Sequence, residues 1–509
     1  MFADSVDSDI APSGTLLGLL QRGRGDGTLH ALAAPRAEAL AALSHCLRRD
    51  PRRDWRLEHR SLFYARLHVE LDAGLDDVEE HLFGPDDLTD TGEERTGLAL
   101  SVLGHLASYG DCGALLLLRR YASRGANWRW ALDELAVRDD DAGLRPLGPA
   151  VLARFPRTPE GDAELAAAVR DAFEPRPWRL WAEDPARPEQ GERLGRAREQ
   201  GSFGRWQRQM RPAGPRLGWS VRAVLDWAQE GDPLLSTAGG PLASAPAGPG
   251  ASAGRDPRHR EAAAARCLAA VAGPEDRPEL LDAARSGPDI ARAVALRHLA
   301  ERGDPAALDL IEAAAVDPAA PGSEGGPFGA AARAALDALA RMRGAAALER
   351  ARRWARREDA LGTAAAALLA CHGTEPDAPL VLAALRRTVR AEGPDSDGLW
   401  PLVDGTGRLA VHRAAPLLRH LYRETSSSQL RGRAARALAA TDPAFAAGFA
   451  IECLWDCEES TREIAARHAA TGDTRVVERL RRLAADPAEE EGVQSAVRGR
   501  LGSDGAAAR

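Results

Sequence analysis

Cys453 and Cys457, in the run ECLWDCEES, are thiols four positions apart, flanked by Glu452, Asp456 and Glu458. On a helix that spacing puts both sulfurs on one face. A structural zinc site needs four ligands at defined spacing, and no second Cys or His pair lies nearby in sequence. The pair therefore reads first as two small residues packing against the next helix. Cys371-His372 sets a thiol beside an imidazole, but a nucleophilic pair needs spatial apposition and an orienting third group. A core cysteine followed by a turn histidine is the expectation there. Neither a Walker-type phosphate loop nor a Gly-x-Ser-x-Gly elbow occurs, so no catalytic, cofactor-binding or metal-binding residue is assigned.

Two basic stretches are better candidates for binding. Between Arg193 and Arg222 eight arginines face Glu199 alone and alternate with Phe203, Trp206 and Trp219. Guanidinium groups beside aromatic faces suit phosphate contact and base stacking, and equally the hot spots of protein interfaces. In RMRGAAALERARRWARR (341–357) seven arginines face Glu349 alone. Arg350, Arg353 and Arg357 fall on one helical face with Trp354 beside them. The candidate partner-contacting residues are thus Trp178, Trp181, Arg205, Trp206, Arg208 and Trp219 in the first region, and Arg350, Arg353, Trp354 and Arg357 in the second. By contrast, the eleven carboxylates from Glu70 to Glu94 lack the alternating Asp/Asn and central glycine of a calcium loop and read as a solvated face.

The elements that position these residues repeat. ARAVALRHLAERGDPAALDLIEAAAVDP (291–318) and STREIAARHAATGDTRVVERLRRLAADP (460–487) overlay without a gap, with Gly-Asp in mid-unit and Asp-Pro at the end. Each is a helix, a tight turn and a second helix, and self-similarity at a period near ~30 residues is the signature of a solenoid. First helices are expected at 262–271, 291–300, 331–342, 363–372, near Leu399, at 430–440 and at 461–470. Breaks follow at Gly273, Gly303, Gly344, Gly373, Gly407, Thr441-Asp442 and Gly472, where glycine suits a left-handed cap and the next Asp or Thr caps the following helix. ERTGLALSVLGHLASYGDCGALLLLRRYASRG (94–125) repeats the theme around Gly110-Asp111. Residues 28–83 fit poorly, as a terminal capping element would. The stretch 171–258 departs from the pattern, carries five of the eleven tryptophans and ends in a Gly/Ala/Ser/Pro tract suited to a tether.

This recurring pattern resembles the short bacterial HEAT-like repeats, called PBS-lyase HEAT-like after their occurrence in phycobilin lyases. Arg292, Gly303, Asp304 and Asp317 match it, as do Arg462, Gly472, Asp473 and Asp486. The resemblance implies an all-α, right-handed solenoid of HEAT-like helix pairs with a Trp/Arg-rich insertion. It implies three regions: 1–170 divergent HEAT-like, 171–258 insertion and linker, and 259–509 the C-terminal repeats. Ten to twelve pairs on a period of ~30 residues would form the array. The family includes scaffolds, assembly factors, chromophore lyases and DNA glycosylases. The leading expectation is a non-catalytic protein-interaction scaffold; the alternative is a DNA-binding HEAT-like enzyme of the alkylpurine DNA glycosylase type.

Composition narrows the choice. All 67 Lys+Arg positions of the 509 residues are arginine, and the formal net charge is −8. A net acidic chain disfavours a general polyanion binder, since counterion release needs a basic face. Aromatic content is 5%, with alanine supplying much of the apolar fraction, and strand-forming runs are scarce. The first residues lack the basic start and long apolar core of a secretory signal, and the longest nearly apolar stretch, 360–371, is about half the ~20 residues of a membrane span. A cytoplasmic protein with reduced cysteines and a protein partner is expected.

Overall fold

The computed structural model describes residues 10–49, 57–90, 92–210, 218–230, 257–316 and 330–507. Among these residues every regular element is helical and no strand forms. No described helix is long and apolar enough to cross a membrane. The chain divides into two compact units, a central one from residues 212–418 and a composite one from 3–211 together with 419–509.

The seven expected first helices are present, as Pro257–Val271, Asp289–Glu301, Ala330–Leu339, Ala360–His372, Leu399–Arg408, Ser428–Thr441 and Glu459–His468. In the central unit the first five pack each against the next. In the composite unit Ser428–Thr441 packs on Glu459–His468, which packs on Glu491–Ala507. Small side chains permit this: a Cβ at Gly405 would overlap the Ala370 methyl of the preceding first helix, so the two backbones touch where an alanine meets a glycine.

The Gly-Asp turn works as its residues dictate at two sites. Gly110 (φ 91°) and Gly303 (φ 70°) take the left-handed conformation that glycine adopts without steric cost. Asp111 then accepts from the Gly113 and Ala114 N–H groups at 2.8 and 3.1 Å, and Asp304 from Ala306 N–H at 2.9 Å. The left-handed cap expected at the other breaks is absent. Gly273, Gly344 and Gly373 have φ of −99°, −75° and −70°, open to any residue. At Gly373 the reason for glycine is room, because a Cβ would sit 2.5 Å from the Leu369 carbonyl oxygen. Gly407 lies inside its helix, and Ala410 (φ 48°) makes the turn after it.

Two arginine devices recur. In the first, an arginine of a second helix reaches an aspartate in the turn of the next pair. Arg119–Asp139, Arg277–Asp304, Arg352–Asp377 and Arg419–Asp442 approach to 2.5, 2.5, 2.7 and 2.5 Å. Asp139, Asp377 and Asp442 are buried and Asp304 is half-buried, while the arginines stay partly in water. Hydrogen bonds from Arg277 and Arg352 hold the Asp304 and Asp377 carboxyls below the usual range. In the second device, an arginine of one helix, or at its C-terminal cap, donates to carbonyls at the end of the preceding first helix. Arg302 reaches Ala272 at 3.5 Å, Arg408 reaches Ala370, Leu369 and Gly373 at 2.9, 3.2 and 2.9 Å, and Arg500 reaches Ala469 at 3.1 Å. The last carbonyls of a helix have no partner of their own, and the forked guanidinium satisfies several at once.

The composite unit joins the two ends of the chain. Arg66 pairs with Asp486 at 2.7 Å and Glu489 at 3.0 Å, and the Tyr109 hydroxyl donates to Asp486 at 3.2 Å. Arg482 pairs with Glu70 at 3.0 Å. The N-terminal helices are therefore flanked by the last helices of the chain. The described helices of the stretch 171–258 fall into both units. Arg176–Ala182 and Pro188–Met210 belong to the composite unit, whereas Val221–Glu230 packs on Pro257–Val271 and Asp289–Glu301 of the central one. The expected tether lies outside the described residues.

Candidate interaction surface

In the composite unit the helix Pro159–Asp171 packs on Pro188–Met210, and Gly148–Leu152 precedes them in the chain. Where these elements diverge they leave an open groove of about 510 Å³. Apolar Pro149, Leu152, Phe155 and Pro156 and charged Arg157, Asp162, Glu189, Glu192, Arg193 and Arg196 line it, with Leu152 and Phe155 showing little of their surface. Arg193 is fully engaged. Its Nε donates to Asp162 at 2.7 Å and its Nη2 to the Phe155 and Pro156 carbonyls at 3.1 and 2.8 Å. Arg157 and Glu189 meet at only 4.0 Å, with side chains 76% and 85% exposed. Such a pair contributes little to the fold. Both groups, with exposed Glu192 and Arg196, are available to an incoming partner.

The apolar lining is held from behind by an aromatic ladder. Phe155 meets Trp128 edge-on at 5.9 Å, Trp128 meets Trp178 at 6.3 Å, and Trp178 meets Trp181 at 5.3 Å. The Trp181 Nε1–H donates to the Leu144 carbonyl at 2.9 Å. Trp178 and Trp181 were expected on a contact surface and are instead interior, 3% and 2% exposed. Large aromatic rings that complete a helix core bury more apolar area there than a surface offers.

The remaining candidates separate. The backbone of Arg205, Trp206 and Arg208 continues the helix that lines the groove; their side chains lie outside the described residues. Trp219 is half-buried. In the central unit, Trp354 is 4% exposed and its Nε1–H donates to Glu312 at 3.0 Å. Arg350 lies over its ring and pairs with Glu312 and Asp309, both at 2.9 Å. Arg357 pairs with Asp359 at 2.5 Å, leaving Arg353 exposed and, among the described residues, unpaired. The expected basic face is thus largely neutralised by acids from the preceding second helix and the following turn.

The cysteines do not form the pair their spacing suggests. The helix Phe449–Cys453 ends at the first of them, so the two do not share a helical face. Cys453 Sγ donates to the Tyr422 hydroxyl at 3.2 Å, and Cys457 Sγ accepts from Arg431 at 3.4 Å. Burial pushes the Cys453 thiol and Tyr422 hydroxyl well up. Arg431 is fully buried, and although burial works against its charge, Asp456 at 3.0 Å more than offsets this. Cys371, expected in the core, is exposed. Among the described residues no group of three or more His, Cys, Asp or Glu could hold a metal ion. In the acidic run Asp87 is buried, bonded to Arg95, the Tyr121 hydroxyl and Ala126 N–H, and is a structural hub.

The groove was not legible as a site. Counting charge from Arg193 onward omits Glu189 and Glu192 one turn upstream, so the stretch reads more basic than its helix is. Comparison of the chain with models of protein families, with curated proteins and with solved structures found no match.

Proposed function

We propose that the chain is a non-catalytic scaffold or adaptor built from HEAT-like helix pairs, right-handed as that resemblance implies, that works on a protein partner in the cytoplasm. The docking face is the groove of the composite unit, continued along the helix that bears Arg205, Trp206 and Arg208. The observation that carries this reading is the groove itself: apolar Leu152 and Phe155 beside exposed, at most weakly paired charges of both signs, Arg157, Glu189, Glu192 and Arg196. Mixed charge suits a polypeptide segment better than a phosphate backbone, whose binding needs a continuously basic face.

The resemblance is supported by first helices packed on first helices and by the Arg–Asp links from four second helices to the next turn. Arginines engaged in structural contacts are unavailable to nucleic acid, which weighs against the glycosylase alternative. The test is affinity capture of the tagged full chain from lysate of its own organism, with and without nuclease. A stoichiometric protein that survives nuclease supports the scaffold; nucleic acid, or partners lost with it, refutes it and makes a glycosylase assay the next step.

A further inference from the structure

Within the composite unit the N-terminal segment Ala11–Asp26 is seated on the C-terminal module, residues 419–509, by backbone and side-chain contacts. Cys457 N–H donates to the Gly23 carbonyl at 2.9 Å. Arg24 Nη1 donates to the Arg423 carbonyl at 2.8 Å, and Ser13 Oγ to Glu424 at 2.8 Å. Gly25 lies so close that a Cβ would overlap the Glu452 carbonyl oxygen. At the centre of this contact three polar atoms are buried without a partner among the described residues: Arg24 Nε, Asp26 Oδ1 and Glu452 Oε1. Two of the three are carboxylate oxygens, one from each end of the chain. Each of these acceptors lacks a hydrogen, and protonation of Glu452 turns its carboxyl into a donor while lifting its repulsion from Asp26.

We propose that seating of the N-terminal segment is proton-gated: Glu452 sits as a neutral carboxylic acid against Asp26, and loss of its proton loosens the segment from the C-terminal module. Four charged groups act on Glu452. Asp26 and Asp456 oppose its ionisation, while Arg24 and Arg423 favour it. Two further cations on neighbouring helices, Arg431 and Arg462, are committed to Asp456 and Glu489. Arg24 is itself paired with Asp26, which blunts its help to Glu452. Burial, then Asp26, carries the Glu452 carboxyl from 4.5 to about 7.

A carboxyl raised on docking makes the docked state the greater proton binder between these two values. The docked state is therefore favoured below about pH 4.5, and the advantage is lost as pH rises through about 7. Between pH 5.5 and pH 8 the docked-to-released ratio should fall about thirtyfold.

Hydrogen–deuterium exchange of the full chain, corrected for the intrinsic pH dependence of exchange, reads this ratio at residues 16–26 and 449–457. The expected result is a fall in protection of about thirtyfold between pH 5.5 and pH 8. Glu452→Gln, a permanently uncharged isostere, should keep protection at pH 8 and abolish the dependence. Asp26→Asn, which removes the opposing charge from the other side, should reduce the dependence even if the first variant folds poorly. Equal protection at both pH values in the unaltered chain overturns the proposal, as does an undiminished dependence in either variant.

Discussion

Replacing Glu489 by Gln isolates the arginine that the two clearest repeats share. Arg462 is 1% exposed and spends all three nitrogens. Its Nε and Nη2 donate to Glu489 at 3.0 and 2.7 Å, and its Nη1 to the Asp456 and Cys457 carbonyls at 2.9 and 2.7 Å. In the other repeat Arg292 makes the corresponding contact five residues back, donating to Gly287 O at 3.1 Å. The substitution keeps the shape of Glu489 but leaves the guanidinium buried without its counter-charge and deprives Arg66 of half its pairing. Breaking a buried pair in this way costs about 3–5 kcal/mol, whereas an exposed pair costs at most about 1. Urea unfolding of the full chain, followed by exchange in residues 459–500 to assign the transition to the composite unit, measures the loss. With a slope of about 1–3 kcal/mol per molar, the midpoint should drop by about 1 M or more. A cost below about 1 kcal/mol would refute the reasoning, because Arg462 would then not be a desolvated charge dependent on Glu489.

Further outcomes follow from the same geometry. Burial alone would raise the Glu489 carboxyl, but Arg462 and Arg66 outweigh it and hold it at about 2. The stabilisation it brings is present above about pH 4.5 and is lost as pH falls toward 2; acid titration of exchange in residues 459–500 checks this, and Glu489→Gln should flatten it. Gly405→Ala should separate two first helices at Ala370 and destabilise the central unit by about 1–3 kcal/mol, an overpacking cost read by thermal unfolding. Trp178→Ala should cost the composite unit about 3–5 kcal/mol in thermal unfolding, as its interior place requires.

The sequence reveals local periodicity well and long-range closure poorly. Ala/Leu helices at a period near ~30 residues are visible because each must bury one face on its neighbour. The caps Asp111 and Asp304 are visible because the capping group sits beside the helix it caps. The Arg–Asp links lie 20 to 27 residues apart in a chain with 67 arginines, so no spacing singles them out. Contacts such as Arg66–Glu489, separated by 423 residues, leave no local trace at all. Trp178 and Trp181 misled for a physical reason: tryptophan beside arginine is common to interfaces and to cores, and only burial separates the two. The groove combines charged residues that are partly readable with apolar ones, Leu152 and Phe155, that look like ordinary core.

The central claim is that the composite unit's groove docks a protein. The most direct measurement is the affinity of the captured partner for the unaltered chain and for the double charge reversal Arg157→Glu, Arg196→Glu. Both positions lie at the groove's edge and support no interior contact. An order-of-magnitude loss or more, about 1.4 kcal/mol or above, with unfolding unchanged, is the result the account predicts. Equal affinity for both proteins would contradict it and move the docking face elsewhere.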